Sequence, residues 1–360
     1  MGNLKKRSFH RIVFFFLLLL VFILGSLNLA KAKGMLLPEQ PAITVVDGTI
    51  DLDSLTLDQK IAQMIIVPGY AHQVQAWKNL QLGGIHLFAL QEESLFKNTI
   101  EDYQQDMSIP FFVTVDLEGC LNPFAAFHNF TYASAISTPG QAYEKGVQEG
   151  QYLREVGITL NFAPVVDLDD VIWKCRSFPG NEQEVTLLAE QYIRGLQQQG
   201  VLATAKHYPG KTLVVRDPHK YLVAAEINAH DVYPYTALSS EVASIMVSHI
   251  ITSGTIDSHG LPAVASSEVI GELKKNFTGL IISDEINMLG LRNYYATLDE
   301  MYVAVFKAGN DVVLNFNDDP QEIYRLIQIV KGAVERGEIS QEQIDASVRK
   351  ILVAKGLKVE

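Results

Sequence analysis

Residues 201–219 read Val-Leu-Ala-Thr-Ala-Lys-His-Tyr-Pro-Gly-Lys-Thr-Leu-Val-Val-Arg-Asp-Pro-His. The first five residues predict a buried strand, and Pro209-Gly210 predicts that a loop follows. A lysine, two histidines and an aspartate therefore come at or after the end of a strand. In α/β barrels and doubly wound sheets, functional residues are placed at that end of the strands. The alternative interpretation is a solvated polar loop.

This stretch belongs to a regular alternation of strand and helix patterns that begins near Ile50. Eight short apolar segments are typical of strands buried on both faces, and helical patterns separate them. The segments are residues 63–67, 84–88, 111–116, 159–167, 201–205, 244–249, 279–284 and 311–316. They predict a single α/β domain, a (β/α)8 TIM-type barrel over residues 50–360, rather than an open sheet. The last helical pattern ends near residue 355, so we expect no second C-terminal domain.

The N-terminal 32 residues carry a targeting pattern. Basic residues at positions 5–7 and 11 precede an apolar run, and Ala30-Lys31-Ala32 fits a small-x-small cleavage site. We expect a signal peptide over residues 1–32 or, through residues 12–29, an uncleaved anchor in the inner membrane. Either would export the body to the periplasm or the extracellular space, with residues 33–49 as a linker. Membrane contact is expected only through this segment, and only if it is uncleaved.

Charge and motif content narrow the classes of partner. The formal net charge is −12, and removing the five basic residues of the first 32 leaves −17 for the remainder. Such an acidic body does not resemble a nucleic-acid-binding surface. The sequence has no Cys-x-x-Cys, no histidines at metal-ligand spacing and no glycine-rich phosphate loop in the right context. We therefore expect no nucleic acid, metal or cofactor, and we expect a monomer.

Polar residues recur at the predicted carboxyl ends of different strands, where a barrel would bring them to one pocket. They are Asp116, Glu118, Asp167, Asp169, Lys206, His207, His249, Asp284 and Glu285. Each alone could be a helix cap or a solvated loop residue. Together they supply carboxylates for a cationic transition state, a histidine for proton transfer and donors for hydroxyl groups.

Five motifs also follow one another in the order of a known enzyme family. They are Val115-Asp-Leu-Glu-Gly, Gly157-Ile-Thr-Leu-Asn-Phe-Ala-Pro-Val-Val-Asp, Arg176-Ser-Phe, Lys206-His-Tyr-Pro-Gly with Asp217-x-His219, and Ile282-Ser-Asp-Glu with Met288. The set resembles glycoside hydrolase family 3, and in particular its single-domain bacterial β-N-acetylglucosaminidases (β-N-acetylhexosaminidases). The resemblance covers nearly all of residues 50–355.

The resemblance implies a retaining exo-glycosidase that releases terminal non-reducing N-acetyl-β-glucosamine from peptidoglycan fragments or chitooligosaccharides. Asp284 would be the nucleophile that forms a covalent glycosyl intermediate, and His219 the acid/base, oriented by Asp217. An imidazole, with an ordinary pKa of about 6.5, suits proton transfer near neutral pH. Pro218 biases Asp217 toward extended backbone, in which residues two apart project to the same side. His219 is expected on a mobile loop.

The same resemblance implies the residues that bind the sugar. Asp116 would accept two hydroxyl groups of the terminal sugar, and Lys206, His207 and Arg176 would be donors around it. A structural alternative is that Lys206 and Arg176 only form ion pairs with strand-end acids.

Two loops depart from the family pattern. The family continues Glu-Gly-Gly-Arg after the third strand, whereas residues 118–123 read Glu-Gly-Cys-Leu-Asn-Pro; the family's Pro-Gly-His-Gly-Asp-Thr is Pro-Gly-Lys-Thr-Leu-Val over residues 209–214. Losing the arginine removes a charged donor, worth roughly 2 kcal/mol. Cys120 and Cys175 lie in adjacent barrel loops and would meet an oxidising compartment after export, so we predict a disulfide between them. The alternative is two unrelated buried thiols.

Two other functions remain open at this point. One is another activity within the family, a β-glucosidase or a glycoside phosphorylase, although the Asp217-x-His219 dyad favours the N-acetylglucosamine-specific branch. The other is a non-catalytic sugar-binding protein of the cell envelope, which the altered loops would suit. Retention of Asp284 together with the dyad favours an enzyme.

Overall fold

The structure is a computed structural model, and it describes residues 13–27, 37–38, 40–212, 216–217 and 220–360. Residues 13–27 form a helix with exposed apolar side chains. Within the described ranges, no helix combines the length and the apolarity needed to cross a membrane. The predicted cleavage site at residues 30–32 lies outside the described residues. The signal peptide, the anchor and the linker stay predictions.

Eight parallel strands form one sheet. The strands are β1 (Ile65–Pro68), β2 (Gly84–His86), β3 (Phe112–Val115), β4 (Leu160–Asn161), β5 (Leu202–Tyr208), β6 (Ser244–Val247), β7 (Leu280–Ser283) and β8 (Val313–Leu314). Each strand pairs with the next from β1 to β7, and β8 pairs with β1. A bridge between Ile282 and Val312 joins β7 to the start of β8, which closes the barrel. The predicted TIM-type barrel is confirmed, and the expected absence of a second domain stays a prediction.

Helices surround the barrel and two short outer sheets complete the fold. The helices are Leu57–Gln63, Val74–Leu80, Glu93–Gln104, Pro139–Val156, Glu182–Gln198, Ala229–Ala237, Ser267–Lys274, Leu289–Arg292, Leu298–Ala308, Pro320–Glu335 and Gln341–Ala354. The outer sheets pair Thr49–Ile50 with Lys358–Val359 and Ala224–Ile227 with Ile251–Gly254. Local sequence sets several helix starts. Thr138 and Asn181, for example, each begin a capping box in which the side chain accepts a backbone N–H.

The barrel strands are buried on both faces. Every residue of β1, β3, β6 and β7 is buried. This explains the continuous apolar runs that predicted them, because helices cover the outside while side chains fill the inside. Burying one such Ile or Val contributes roughly 1.5–3 kcal/mol, so a polar residue in a strand centre would oppose folding.

Two strands differ in length from their predicted segments. We expected a strand over residues 159–167, but β4 covers only Leu160–Asn161. The chain beyond it continues beside β5 without regular pairing, because Pro164 has no N–H to donate to a ladder. We expected β5 to end near residue 205, yet it runs to Tyr208. The lysine and histidine of the opening stretch therefore lie within the strand end and not beyond it.

Candidate active site

A cavity of about 270 Å³ opens at the carboxyl ends of the barrel strands. Five of the seven predicted catalytic and sugar-binding residues line it, namely Asp116, Arg176, Lys206, His207 and Asp284. Small-molecule sites usually have volumes of roughly 300–1,000 Å³. The cavity lies just below that range, which suits one sugar ring and not a long oligosaccharide.

Four charged side chains form a chain of ion pairs in the floor of the cavity. Lys206 Nζ lies 2.6 Å from Asp116 Oδ1 and 3.1 Å from Glu118 Oε1. Arg176 Nε donates to the other oxygen of Glu118, Oε2, at 2.6 Å. Lys206, Glu118 and Arg176 are at most 4% exposed, so removing any one charge would leave its partner buried and uncompensated. We call Asp116, Lys206, Glu118 and Arg176 the ion-pair floor.

Electrostatics keep Asp116, Lys206 and Arg176 charged near neutral pH. Burial alone would raise the pKa of Asp116, but the Lys206 ammonium and further positive neighbours outweigh it and lower that pKa to about 2. Burial opposes the charge on Lys206, yet Asp116 and Glu118 raise its pKa. Burial likewise opposes the charge on Arg176, and Glu118 raises its pKa. Asp116 is also the most exposed member, at 36%, so an anionic acceptor faces the cavity.

Lys206 and His207 are consecutive residues that both line the cavity. In a regular strand they would point to opposite sides of the sheet. The pairing of β5 with β6 shifts register between Lys206 and Tyr208, leaving His207 outside the ladder. Such irregularities re-aim side chains near functional sites.

A buried carboxylate fixes the ring of His207. Asp167 Oδ2 lies 2.7 Å from His207 Nδ1, and Thr212 Oγ1 and Tyr235 Oη also donate to Asp167. Because a carboxylate only accepts, Nδ1 carries a proton. Nε2 is therefore the nitrogen left for a ligand, and the donor role that the family resemblance implies for His207 stays a prediction. From sequence alone, Asp167 could have been a helix cap or a solvated loop residue. In the structure it is 1% exposed and binds the ring of His207.

Asp284 follows β7 and lines the cavity. Its N–H donates to Val247 O at 2.9 Å, and its Oδ1 accepts the N–H of Glu285 at 2.8 Å. The Glu285 carboxylate accepts backbone N–H groups of Asn287 and Phe316, and burial raises its pKa. Of the two adjacent acids, Glu285 is therefore tied to the backbone of its own loop and of the loop after β8.

The remaining strand-end residues lie behind the cavity or away from it. His249 is 3% exposed, and its Nε2–H donates to Glu285 O at 2.7 Å, which supports the loop after β7. Asp169 does not line the cavity. Among the described residues, no group of three His, Cys, Asp or Glu side chains is arranged to hold a metal ion.

The segment of residues 211–221, which we call the arm, follows β5. Pro218 and His219, as well as residues 213–215, lie outside the described residues. Asp217 is described and does not line the cavity; its Oδ2 lies 3.5 Å from Lys220 Nζ. At the end of the arm, the backbone of Tyr221 packs on Gly290, where an added Cβ would be 2.8 Å from Tyr221 O. Tyr221 thus lies beside the short helix Leu289–Arg292 that follows Asp284 along the chain, and the Asp217–His219 contact stays a prediction.

Cys120 and Cys175 are joined by a disulfide, with Cα atoms 5.5 Å apart. The bond ties the loop after β3 to the loop after β4, beside the Glu118–Arg176 ion pair. Gly119 lies between the two loops with a φ of +60°, and a Cβ there would be 2.3 Å from Cys175 O. Only glycine fits this close approach.

Sequence reasoning missed an aromatic wall and one histidine. Phe88, Phe162 and Phe316 line the cavity. His86, at the end of β2, stacks with Phe162 and Phe316 and lies beside Asp116. A histidine inside an apolar strand segment was the available signal for His86, but nothing in the sequence marked the phenylalanines as different from core residues.

A scan against protein families adds an independent line of evidence. The profile described as "Glycosyl hydrolase family 3 N terminal domain" matches residues 56–354. The chain belongs to glycosyl hydrolase family 3. The resemblance predicted from the five motifs is confirmed, and with it the assignment to the glycoside hydrolases.

Individual relatives of this family 3 chain agree with that assignment. It is 27% identical to "Beta-hexosaminidase LpqI" of Mycobacterium bovis, covering 82% of each chain. It is 26% identical to the "Beta-N-acetylglucosaminidase/beta-glucosidase" of Cellulomonas fimi, covering 83% of this chain but only 57% of that protein. A family 3 glycosyl hydrolase structure from Mycobacterium smegmatis superposes with a TM-score of 0.78 at 28% identity, over 86% of this chain and 100% of that one.

Proposed function

We propose that this protein is a retaining exo-β-N-acetylglucosaminidase that acts outside the cytoplasm. The observation that carries the proposal is the cavity itself. It suits one sugar ring, presents the Asp116 carboxylate in its charged floor, and has Asp284 as a further lining carboxylate. The names of the relatives from Mycobacterium bovis and Cellulomonas fimi support the choice of N-acetylglucosamine as the sugar.

Recognition would begin at the ion-pair floor. Asp116 accepts hydroxyl groups of the terminal sugar while Lys206 holds its carboxylate. Arg176, which pairs with Glu118, and His207, whose ring is held by Asp167, contact the sugar beside it. Lys206, Glu118 and Arg176 of the floor are buried, and a cavity of about 270 Å³ that holds one sugar against them leaves little room for a further residue beyond its non-reducing end. This geometry supports exo action, in which one terminal sugar is released at a time.

Chemistry would take place on Asp284. Its carboxylate attacks the anomeric carbon while His219 protonates the departing glycosidic oxygen, giving a glycosyl-Asp intermediate. His219 then accepts a proton from water, which attacks the same carbon, releases the sugar and regenerates Asp284. Asp217 orients the imidazole and stabilises its charged form. The packing of Tyr221 on Gly290 supports this assignment, because it brings the end of the arm next to the short helix Leu289–Arg292 that follows Asp284 along the chain.

The natural substrates we propose are peptidoglycan fragments or chitooligosaccharides. Both carry terminal N-acetyl-β-glucosamine, and both would be met by an exported protein. The signal pattern of residues 1–32 is what supports export, to the periplasm, the extracellular space or the outer face of the inner membrane.

The proposal is tested by the hydrolysis of an aryl N-acetyl-β-glucosaminide by the full chain, with Asp284→Ala as the control. We expect turnover by the natural sequence only. A 5-fluoro glycosyl fluoride should add the mass of one sugar to the peptide that contains Asp284. Equal rates for the two proteins would overturn the enzymatic proposal and leave a sugar-binding protein of the envelope.

A second candidate activity is β-glucosidase. The name of the Cellulomonas fimi relative pairs both activities, and the missing loop arginine changes the surroundings of the sugar. An aryl β-glucoside measured beside the N-acetylglucosaminide decides between them. Adding inorganic phosphate to both assays detects a glycoside phosphorylase, since the product would then be a sugar 1-phosphate.

A further inference from the structure

His86 is a polar side chain in apolar surroundings beneath the cavity. It ends β2 and is 2% exposed. Its ring is nearly parallel to that of Phe162, at 5.6 Å and 6°, and stacks with Phe316 at 4.8 Å and 25°. Two stacked neighbours restrict rotation of the imidazole, so the positions of its two nitrogen atoms are well defined.

The two nitrogens of His86 have different partners. Nδ1 lies 3.0 Å from Thr114 Oγ1, and Nε2 lies 3.5 Å from Asp116 Oδ2. Burial lowers the pKa of His86 to about 4, so the ring is neutral at neutral pH and carries one N–H. If Nδ1 held the proton, the lone pair of Nε2 would face the anionic Asp116. The opposite tautomer places the N–H toward the carboxylate while the Thr114 hydroxyl donates to Nδ1. Electrostatics favour this second tautomer.

Asp116 is then held at both oxygen atoms from inside the barrel. Lys206 holds Oδ1 at 2.6 Å, and His86 faces Oδ2 at 3.5 Å, a long contact in which charge–dipole attraction dominates. A carboxylate offers about four lone-pair directions. Lys206 and His86 each occupy one lone-pair direction, so each oxygen keeps one lone-pair direction for a group in the cavity.

We propose that His86 is a positioning residue for sugar recognition, which sets the rotation of the Asp116 carboxylate so that each oxygen accepts one hydroxyl group of the terminal sugar. This inference rests on the proposed function. His86 acts through Asp116 and takes no part in bond cleavage, so it should affect substrate binding far more than turnover. It also explains why a polar ring is kept among phenylalanines, where burial without a polar partner is costly.

Two variants of the full chain separate the donor from the ring. His86→Phe keeps an aromatic ring and removes the N–H; His86→Gln keeps an N–H at the distance of Nε2. With an aryl N-acetyl-β-glucosaminide, we expect His86→Phe to raise KM roughly 10- to 50-fold and to leave kcat within about threefold. His86→Gln should recover most of the loss. A role in packing alone would not be rescued by glutamine.

A double-mutant cycle with Asp116→Asn identifies the route of the effect. If His86 acts through Asp116, the combined variant should be no worse than Asp116→Asn alone, because the two changes remove one interaction. Substrates lacking the 3-, 4- or 6-hydroxyl sharpen this test. In Asp116→Asn, removing a hydroxyl group that Asp116 normally binds should no longer raise KM. The same hydroxyl groups should lose their effect on KM in His86→Phe.

Several outcomes would overturn the inference. They are an unchanged KM in His86→Phe, losses that add in the double variant, or different deoxy-sugar profiles. If His86→Phe does not fold, as judged by its thermal melt, the glutamine variant and its profile decide. If the natural sequence has no hydrolytic activity, the proposed function fails, and calorimetry with N-acetylglucosamine then tests His86 separately. A Kd that is the same in all variants, or no binding in any of them, rejects the positioning role of His86.

Discussion

Lys206 and Lys220 come from the same stretch of sequence and have opposite surroundings. The side chain of Lys206 is 3% exposed and lies between two carboxylates of the ion-pair floor. That of Lys220 is 68% exposed, and its Nζ lies 3.5 Å from Asp217 in the arm. Lys206 lies within β5, whereas Lys220 lies beyond that strand, in the arm. A residue proposed for recognition thus lies on a barrel strand, and the residue proposed for proton transfer, His219, is expected on a mobile loop.

The largest effect should come from Asp284, which separates chemistry from recognition. Asp284→Asn keeps the size of the side chain but removes the proposed nucleophile, so kcat/KM should fall by roughly 10⁴-fold or more. The Kd for N-acetylglucosamine should change little, because the ion-pair floor is intact. Steady-state kinetics and calorimetry measure the two quantities. A loss of sugar binding equal to the loss of rate would mean that the floor and the nucleophile are not independent.

Removing the proton-transfer residue tests the arm. His219→Ala should lower kcat/KM roughly 10²- to 10⁴-fold for a disaccharide and less for an aryl substrate, whose leaving group needs little protonation. If His219 is the acid, as proposed, it must be protonated for bond cleavage in the natural sequence, so kcat/KM should fall as pH rises through the imidazole pKa. Asp217→Asn should move that fall to lower pH, because the carboxylate stabilises the imidazolium. The prediction fails if kcat/KM of His219→Ala falls over the same pH range as that of the natural sequence.

Matched lysine substitutions compare the floor and the arm directly. Lys206→Met leaves Asp116 and Glu118 without their shared cation, and the free energy of unfolding should fall by about 3–5 kcal/mol. Lys220→Met removes an exposed pair and should change it by no more than about 0.5 kcal/mol. Urea unfolding of both proteins measures the difference. Similar values for the two lysines would contradict the distinction between a buried floor and an exposed arm.

The disulfide should support the floor and leave the arm unaffected. Its bond spans 55 residues, and the chain-entropy relation gives a stabilisation of at most about 4 kcal/mol. A Cys120→Ser, Cys175→Ser double variant should lose part of this stabilisation. Its KM should also rise, because the loops that carry Glu118 and Arg176 are no longer tied together. These are the two cysteines of the sequence, so a reductant acting on the natural protein provides the matched comparison. An unchanged urea midpoint would argue against the bond.

A further effect should be a pH dependence of stability that arises from His86, beneath the floor. Burial lowers the pKa of His86 from 6.5 to about 4, so between these values the unfolded chain binds a proton that the folded chain does not. The free energy of unfolding should therefore fall as pH drops from about 6.5 to about 4, by about 3 kcal/mol in total. His86→Phe should remove this component. Identical pH–stability curves for the two proteins would show that His86 does not titrate in this way.

Parts of the candidate site were predictable because local patterns carry them. Asp116, Lys206 and Asp284 follow apolar runs, and parallel strands bring their carboxyl ends to one face. The position of Lys206 within the strand was not predictable, since the register shift that precedes Tyr208 depends on pairing with β6. The role of Asp167 as the partner of His207 was missed for a similar reason. A loop carboxylate and a buried ring partner look the same in sequence.

The sequence by itself determined the strand and helix alternation, the barrel and the charges at its strand ends, because apolar periodicity is a local property of the chain. Only the tertiary structure decided which charges pair. Lys206 meets Asp116 across 90 residues of sequence, Cys120 meets Cys175 across 55, and His86 faces Asp116 from the neighbouring strand. These contacts depend on how the sheet closes, and closure joins residues that no local pattern relates.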